Sequence, residues 1–382
     1  MATEQLENLG SEDAKWLGEY SRVHMNVFGT PLRVMDHGEG AHIWDIDGNE
    51  YLDFLAGIAV NALGYAHPKW VKAVSEQAAK AAHVSNYFAT EPQIELASKL
   101  IELAGAPEGS HVYFGNSGAE GNEAALKLAK LYGRTLPGAS PAIGGKPARI
   151  IAMTHGFHGR TMGALSATWK PTIREAFEPL VPNIEFVEAG DEAALHDAFA
   201  ETGPGKYGKG PVAAVIMELI QGEAGVRPLG AGYVKKARQM CDDNNALLII
   251  DEVQTGIGRT GSWFAFQRED LAGGVVPDIV TFAKGVAGGF PMGGMISFGA
   301  KLSALFTQAP TAPPLRAIRS ERPPRWPRWK PLRKTVSWPT PRHVASNCVT
   351  ASWLAAIRFS SPCVDVACST RSNSPIHARM RR

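Results

Sequence analysis

The two residues best suited to chemistry are an acid and a lysine, each at the end of a short apolar run. Asp251 follows L-L-I-I, and Lys284 follows I-V-T-F-A and precedes several glycines. Apolar runs this short, bounded by turn residues, are typical of strands buried on both faces of a parallel sheet. Ligands bind just beyond the carboxyl ends of such strands. The pattern therefore predicts that Asp251 and Lys284 hold one ligand between them.

The chemistry open to this pair depends on the proton of the lysine. A desolvated lysine can lose its proton and attack a carbonyl to form a Schiff base. A nearby aspartate can keep a ring nitrogen protonated, so that the ring accepts electrons. Pyridoxal phosphate needs both groups. For these two residues alone, an ordinary ion pair at a sheet edge is the simpler interpretation, and the rest of the chain has to decide.

Three further apolar runs lead into turns rich in glycine or polar residues. Residues 112–114 precede G-N-S-G-A and a strong helix, residues 149–153 precede H-G-F-H-G-R-T, and residues 212–218 precede Q-G-E-A-G-V. With the two central strands, this alternation predicts an α/β fold whose mostly parallel sheet is flanked by helices.

The remaining segments predict simpler elements. Residues 12–28 have helical spacing, and residues 41–54 alternate around a D-G turn as in a hairpin. Residues 67–103 show two amphipathic helical patterns, each with a proline near its start. Residues 136–147, rich in proline and glycine, predict a surface loop.

Several residues in these turns could bind a ligand. The G-N-S-G-A turn at a helix N-terminus favours an anion such as phosphate, and Ser117 adds a hydroxyl. Phe157 could stack on a flat ring, although a core phenylalanine is the simpler interpretation. Arg160 could clamp a carboxylate or be an ordinary surface arginine. His155 and His158 have no carboxylate or cysteine spaced to complete a metal site.

Together these blocks resemble a known family. Residues 15–301 resemble the class III (ornithine-type) aminotransferases among the fold type I pyridoxal phosphate enzymes. The resemblance rests on G-N-S-G-A-E-G-N-E-A-A-L-K-L-A, H-G-F-H-G-R-T-M-G-A-L-S-A-T, Q-G-E-A-G-V, L-L-I-I-D-E-V-Q-T-G-I-G-R-T-G and F-A-K-G-V-A-G-G-F-P-M-G-G, in that order.

The resemblance implies a set of cofactor-binding residues. Lys284 is expected to bind pyridoxal 5′-phosphate covalently and then to carry a proton between the substrate and the cofactor. Asp251 is expected to hold the proton of the ring nitrogen. The other implied cofactor contacts are Ser117, Gly118 and Ala119 at the phosphate, Phe157 on the ring face and Gln254 at the ring hydroxyl, together with Glu252 and Val253.

The resemblance also implies the substrates. Arg160 is expected to hold the substrate α-carboxylate, and Glu223 to help the site alternate between amino donor and 2-oxoglutarate. The implied reaction moves the amino group of N-acetylornithine to 2-oxoglutarate in arginine biosynthesis, by a homodimer. Ornithine, succinyldiaminopimelate or 4-aminobutyrate could replace the donor. There are two other hypotheses. One is a different pyridoxal phosphate reaction, such as that of an aminomutase, and the other is an inactive remnant that at most binds cofactor.

Composition limits the class of protein. The chain has 382 residues, 45% hydrophobic and 20% charged, as in a globular protein with a sizeable core. It has no apolar run long enough to cross a membrane. The acidic, polar N-terminus is unlike a targeting peptide and predicts a cytoplasmic location. We predict an N-terminal segment at residues 1–65 and a large cofactor-binding domain at residues 66–301.

Residues 302–382 differ abruptly from the rest of the chain. They contain 14 basic and 2 acidic residues, 11 of the 26 prolines and no glycine. Shifting the reading by one base permits codons that turn residues 308–329 into G-T-H-G-T-T-F-A-G-N-P-L-G-T-A-A-A-L-A-A-L, a block typical of the family. This predicts a frameshift near residue 307 and the loss of the small C-terminal domain. The rival hypothesis is a basic tail that binds nucleic acid.

Overall fold

The structure is a computed structural model that describes residues 10–139, 146–200 and 209–306. Nearly all of the predicted out-of-frame tail, from residue 307 onward, lies outside the described residues. The predicted surface loop at residues 136–147 is described only in part, because residues 140–145 also lie outside them. Within the described ranges, none of the helices has the length and apolar content that crossing a membrane requires.

The N-terminal elements are one helix and a small antiparallel sheet. Helix α1 is Ser11–Val23, and the sheet contains β1 (Met35–Glu39), β2 (His42–Asp45) and β3 (Glu50–Leu52) in that order. The predicted hairpin is confirmed in β2 and β3. The prediction of a helix to residue 28 was wrong, because His24 has an extended backbone and ends α1. The buried carboxylate of Asp13 in α1 accepts the N–H of Val34 at 2.7 Å, which ties the helix to the sheet.

Two helices then lead to the main sheet, as the sequence predicted. Helix α2 is Pro68–Lys80 and helix α3 is Glu91–Ala104. Both have a proline in their first turn, where the missing N–H leaves no hydrogen bond unmade. Gly105 ends α3 in the left-handed conformation, which glycine adopts without steric cost.

The main sheet has seven strands in the order β4-β12-β11-β10-β7-β5-β6. Neighbours from β11 to β6 are parallel, whereas β12 runs antiparallel to both β11 and β4. The predicted α/β architecture with a mostly parallel sheet is therefore confirmed. The strands are β4 (His111–Gly115), β5 (Arg149–Met153), β6 (Ile184–Val187), β7 (Val212–Met217), β10 (Leu247–Asp251), β11 (Ile279–Phe282) and β12 (Gly293–Ser297).

Helices and short turns connect these strands. A two-stranded hairpin, β8 (Ile220–Gln221) and β9 (Arg227–Pro228), follows β7. The connecting helices are α4 (Gly118–Gly133), α5 (Met162–Ala167), α6 (Pro171–Arg174), α7 (Glu192–Ala200), α8 (Ala231–Asp243), α9 (Glu269–Ala272) and α10 (Ala300–Ser303). Three short 3-10 turns are Glu175–Phe177, Ala265–Gln267 and Lys284–Ala287.

The sheet is covered on both faces, which explains its apolar strands. Alternate residues of β10 belong to different cores: Leu248 and Ile250 pack with α3 and α8 on one face, and Leu247 and Ile249 pack with α4 on the other. All five residues of β10 are buried. Full burial of one such side chain contributes about 1.5–3 kcal/mol, so the central strands are rigid supports for the residues at their ends.

Candidate active site

A cavity of about 540 Å³ lies at the carboxyl ends of β7, β10 and β11. Its wall contains ten of the eleven site residues expected from the sequence. These ten are Ser117, Gly118, Ala119, Phe157, Arg160, Glu223, Asp251, Val253, Gln254 and Lys284. Glu252 is the exception, because its carboxylate bonds to Thr255, Ala265 and Phe266 and does not line the cavity.

Asp251 is the most heavily bonded group of the site. Its Oδ2 accepts hydrogen bonds from Asn122 Nδ2 at 2.8 Å and His158 Nδ1 at 2.7 Å. Its Oδ1 accepts from Val253 N at 3.0 Å and Thr281 Oγ1 at 3.1 Å. An ionised carboxylate has about four acceptor positions. Four donors from four separate segments therefore hold Asp251 in one orientation.

The same contacts keep Asp251 ionised although it is buried. Burial favours the neutral acid, but the hydrogen bond and charge of His158, together with the bonds from Val253 and Asn122, hold the pKa of Asp251 below its ordinary value. Burial works against protonation of His158, yet the bond to Asp251 and the charges of Asp251 and Glu218 raise the pKa of the imidazole. An imidazolium–carboxylate pair thus fixes a negative charge at the cavity wall.

Lys284 follows β11 in an unusual backbone conformation. Its φ is +46°, which is uncommon for a residue with a side chain and turns the chain sharply after the strand. The ammonium Nζ donates to Gln254 Oε1 at 2.6 Å. Burial lowers the pKa of Lys284 below its ordinary value, and the carboxylates of Asp251, Glu218 and Glu223 oppose that effect. A larger fraction of neutral amine is therefore present than at an exposed lysine.

The N-terminus of α4 forms one side of the cavity. Ser117 caps the helix, and its Oγ accepts the N–H of Glu120 at 3.1 Å. The glycine at position 118 lets the loop after β10 approach closely, since a Cβ there would lie 2.7 Å from the methyl groups of Val253. Free N–H groups and the helix dipole at such an end favour an anion.

Phe157, Arg160 and Glu223 lie around the cavity at different depths. Phe157 is half-buried, and its N–H donates to Glu218 Oε1 at 2.8 Å. Arg160 is exposed, with its guanidinium 5.5 Å from the ring centre of Phe28. Glu223 is also exposed, with an oxygen 3.8 Å from Lys170 Nζ. Arg160 and Glu223 therefore face solvent across the opening, where a substrate would enter.

Sequence reasoning missed three buried polar residues of the site. Asn122 and His158 contact Asp251, and Glu218 follows β7 at the cavity wall. Burial, with the charges of His158 and Asp251 acting in opposite directions, raises the pKa of Glu218 to about 7. Glu218 carried a usable signal, because it ends an apolar run as Asp251 does. His158 has no carboxylate near it along the sequence, but in the structure it contacts the carboxylate of Asp251.

A turn that carries Gly57 and Ile58 also lines the cavity and was not expected there. Four successive residues, 56–59, have positive φ, and Leu55 O and Ala56 O accept the hydrogen bonds that close this left-handed turn. Such a backbone costs about 1–2 kcal/mol per residue with a side chain.

No group of three or more possible metal ligands occurs in the described part of the chain.

Comparison with known proteins decides the family. The model of the aminotransferase class-III family matches residues 25–310, about three quarters of the chain. The chain belongs to that family. Class-III aminotransferases depend on pyridoxal 5′-phosphate, which is therefore the cofactor that the site of this class-III aminotransferase has to fit. The match ends close to residue 307, where the sequence predicts the loss of the reading frame.

Individual relatives carry more specific names. The chain is 84% identical over 307 residues to the acetylornithine aminotransferase of Bifidobacterium longum, covering 80% of this chain and 71% of that protein. It is 47% identical to the acetylornithine aminotransferase of Methanopyrus kandleri, over 72% of this chain and 64% of that one. The crystal structure of N-acetylornithine aminotransferase from Stenotrophomonas maltophilia superposes with a TM-score of 0.59, at 34% identity over 76% of this chain and 68% of that one. The chain thus spans 64–71% of the length of these relatives.

The residues of this class-III aminotransferase fit pyridoxal phosphate. The N-terminus of α4 would supply N–H groups for the phosphate, Asp251 an anion for the ring nitrogen, and Lys284 the amine for the aldehyde. The aromatic ring of Phe157 is available to one face of the cofactor. Asn122 Oδ1 and His158 Nε2 are buried polar atoms without a hydrogen-bond partner in the described structure, as in a polar site built for a further group.

Proposed function

We propose that this chain carries an aminotransferase site that moves the amino group of N-acetylornithine to 2-oxoglutarate. The observation that carries the proposal is the placement of Lys284 and Asp251 at the ends of neighbouring strands, on either side of a cavity closed by a helix N-terminus. The names of the most similar relatives support the choice of substrate. Arginine biosynthesis is the pathway that this substrate implies.

Lys284, Asp251 and Gln254 each have a task in this reaction. When bound, the cofactor supplies a ring that withdraws electrons from the substrate carbon. Lys284, whose pKa is lowered by burial, holds the cofactor and then takes and returns the proton of the substrate Cα. Asp251 keeps the ring nitrogen protonated through its fixed negative charge. Gln254, which already accepts from Lys284, orients the amine between these steps.

The opening of the cavity suits a substrate with carboxylates. The exposed guanidinium of Arg160 can bind one carboxylate with two parallel hydrogen bonds. Glu223 is the other exposed charged residue that the sequence predicts at the site. Its carboxylate lies 3.8 Å from Lys170 Nζ, so a second positive side chain is present near the opening. We propose that Arg160 holds the α-carboxylate and that Glu223 responds to whether the amino donor or 2-oxoglutarate is bound.

The test is a two-substrate assay that measures glutamate formed from 2-oxoglutarate. N-acetylornithine, ornithine, succinyldiaminopimelate and 4-aminobutyrate would be compared as donors, with the chain as it stands and with the reading frame restored after residue 307. We expect the highest kcat/KM for N-acetylornithine. A clear preference for another donor would change the substrate, and conversion of the donor without glutamate formation would indicate another pyridoxal phosphate reaction.

We also propose that the working unit is a homodimer. Large apolar side chains such as Phe28, Phe54 and Tyr87 are more than four fifths exposed in the single chain, and a second copy would remove such surfaces from water. Sedimentation or light scattering of the purified protein tests this, and a monomer at all concentrations would contradict it. The cytoplasmic location, the domain limits at residues 65, 66 and 301, and the frameshift stay predictions.

A further inference from the structure

Glu252 is a buried acid beside the site that the proposed reaction does not use. It is fully buried and follows Asp251 directly, at the end of β10. Its Oε2 accepts from Thr255 Oγ1 at 2.6 Å and from Ala265 N at 3.0 Å, and its Oε1 accepts from Phe266 N at 2.8 Å. Among the described residues, no cation forms an ion pair with it. Burial raises the pKa of this carboxyl to about 7, although its three hydrogen bonds lower it.

These bonds join the two ends of one loop, since Glu252 and Ala265 are 13 residues apart along the chain. Glu252 and Thr255 begin a loop, and Ala265 and Phe266 end it in a 3-10 turn. The loop contains Gly258 and Gly261 at positive φ. Its middle is held by hydrogen bonds from Ile257 N to Trp263 O and from Arg268 Nη1 to Thr260 O, each at 2.6 Å, whereas Glu252 bonds to its two ends. Because one carboxylate bonds to both ends, Glu252 closes the loop.

The start of the closed loop is part of the cavity wall. Val253 and Gln254 follow Glu252 directly; the N–H of Val253 donates to Asp251 Oδ1, and Gln254 Oε1 accepts from Lys284 Nζ at 2.6 Å. Gln254 is also confined from the other side, since a Cβ at Gly222 would lie 2.9 Å from its amide carbon. A displacement of this segment would therefore move the acceptor that orients the amine.

We infer that Glu252 is a positioning residue, which holds the loop so that Gln254 aims the amine of Lys284 at the aldehyde of the cofactor. This inference rests on the proposed function, because it concerns the lysine that binds pyridoxal phosphate. Glu252 touches neither cofactor nor substrate in this role. Its effect reaches the reaction through the backbone of Val253 and the side chain of Gln254.

The decisive variant is Glu252→Gln. With the amide oxygen in the place of Oε1, Phe266 N keeps its acceptor, while the amide NH2 faces the N–H of Ala265. The hydroxyl of Thr255 can rotate and accept, so the main loss is one backbone hydrogen bond at the far end of the loop. Glu269→Gln is the matched control, because Glu269 is an exposed acid that pairs with Lys235 at 3.5 Å.

The measurement is the rate at which Lys284 captures pyridoxal phosphate. The purified apoprotein is mixed with the cofactor, the covalent link is fixed with borohydride at successive times, and the labelled peptide is quantified by mass spectrometry. We expect capture to slow about tenfold in Glu252→Gln and to stay at the parent rate in Glu269→Gln, since a small misplacement of a reacting group costs rates of this order. Gln254→Ala should slow capture similarly, and the double variant should be no slower than the slower single one.

Each result bears on the inference. Capture at the parent rate in Glu252→Gln, at a temperature where it is folded, would overturn it, even if the melting temperature had fallen. Additive slowing in the double variant would overturn it as well. If Glu252→Gln does not fold, Glu252→Asp, which keeps the acid but shortens its reach, takes its place with the same expected slowing. A parent that captures the cofactor but transfers no amino group would refute the proposed function alone.

Discussion

Replacing Asp251 with asparagine separates what this residue does for stability from what it does for catalysis. The four donors around the carboxylate would meet one amide oxygen and one NH2 group. With the oxygen in the place of Oδ1, Val253 and Thr281 keep their acceptor. The NH2 group then faces Asn122 Nδ2 and His158 Nδ1, which are donors in the parent protein.

His158 can adapt to this change, and Asn122 cannot do so without losing a bond. The Nε2 atom of His158 has no hydrogen-bond partner in the described structure, so the imidazole can carry its proton there and accept at Nδ1. It then becomes neutral, and no charge is left buried alone. One donor of Asn122 stays unpaired, at a cost of about 1–3 kcal/mol. We therefore expect Asp251→Asn to lose ~1–3 kcal/mol of unfolding free energy, below the ~3–5 kcal/mol of a broken buried ion pair.

The catalytic effect should be larger than the effect on stability. A neutral amide cannot hold the proton of the ring nitrogen by charge, and the loss of a buried charge pair of ~3–5 kcal/mol slows a reaction by roughly 10²- to 10⁴-fold. Urea unfolding of the apoprotein measures the first quantity. Single-turnover conversion of N-acetylornithine by a chain with the restored frame measures the second. Asp243→Asn, at an exposed acid, is the control. Conversion within tenfold of the parent would refute the reasoning.

Three other outcomes are expected. Lys284→Ala should abolish covalent capture of pyridoxal phosphate, and a labelled peptide elsewhere in the chain would contradict the assignment. Glu218 binds its proton more tightly in the folded protein (pKa about 7) than in the unfolded chain (4.5), so the apoprotein should lose stability as pH rises from about 5 to about 8. Glu218→Gln should remove up to ~3 kcal/mol of this loss in urea titrations. An unchanged dependence of stability on pH in the variant would count against this role of Glu218. Restoring the reading frame after residue 307 should raise transamination turnover, whereas equal turnover of both chains would argue against a frameshift.

The main features of the site follow from local sequence patterns. Asp251 and Lys284 each end a short apolar run, and parallel strands bring their carboxyl ends to one edge of the sheet, so their proximity could be predicted. The turn that we propose for the phosphate could be recognised from G-N-S-G-A at the start of α4, because a strand-to-helix turn exposes N–H groups. These inferences depend on spacing within a few residues, where the sequence carries most of its information.

What the sequence could not show are contacts between distant segments. His158 is 93 residues from Asp251 along the chain, and its distance to that carboxylate depends on the order of β5, β7 and β10 in the sheet. Glu252, which the sequence predicts to contact the cofactor, does not line the cavity for a different reason. Successive residues of a strand point to opposite faces, so a side chain next to Asp251 at the end of β10 turns away from the cavity.

The three acids at this edge differ because their partners differ, and this difference decides which of them stays charged. Asp251 has four donors, one of which is the cationic imidazole of His158, and these contacts hold its pKa low despite burial. Glu252 has three donors but no cationic partner in the described part of the chain, and burial raises its pKa to about 7. Burial also raises the pKa of Glu218 to about 7, while the charges of His158 and Asp251 act on it in opposite directions. Near neutral pH the only acid of the three with a firmly held negative charge is therefore Asp251, the acid that we propose for the ring nitrogen. A cofactor with a protonated ring would bind where that charge is fixed, and the neighbouring acids add less negative charge to compete for the amine of Lys284.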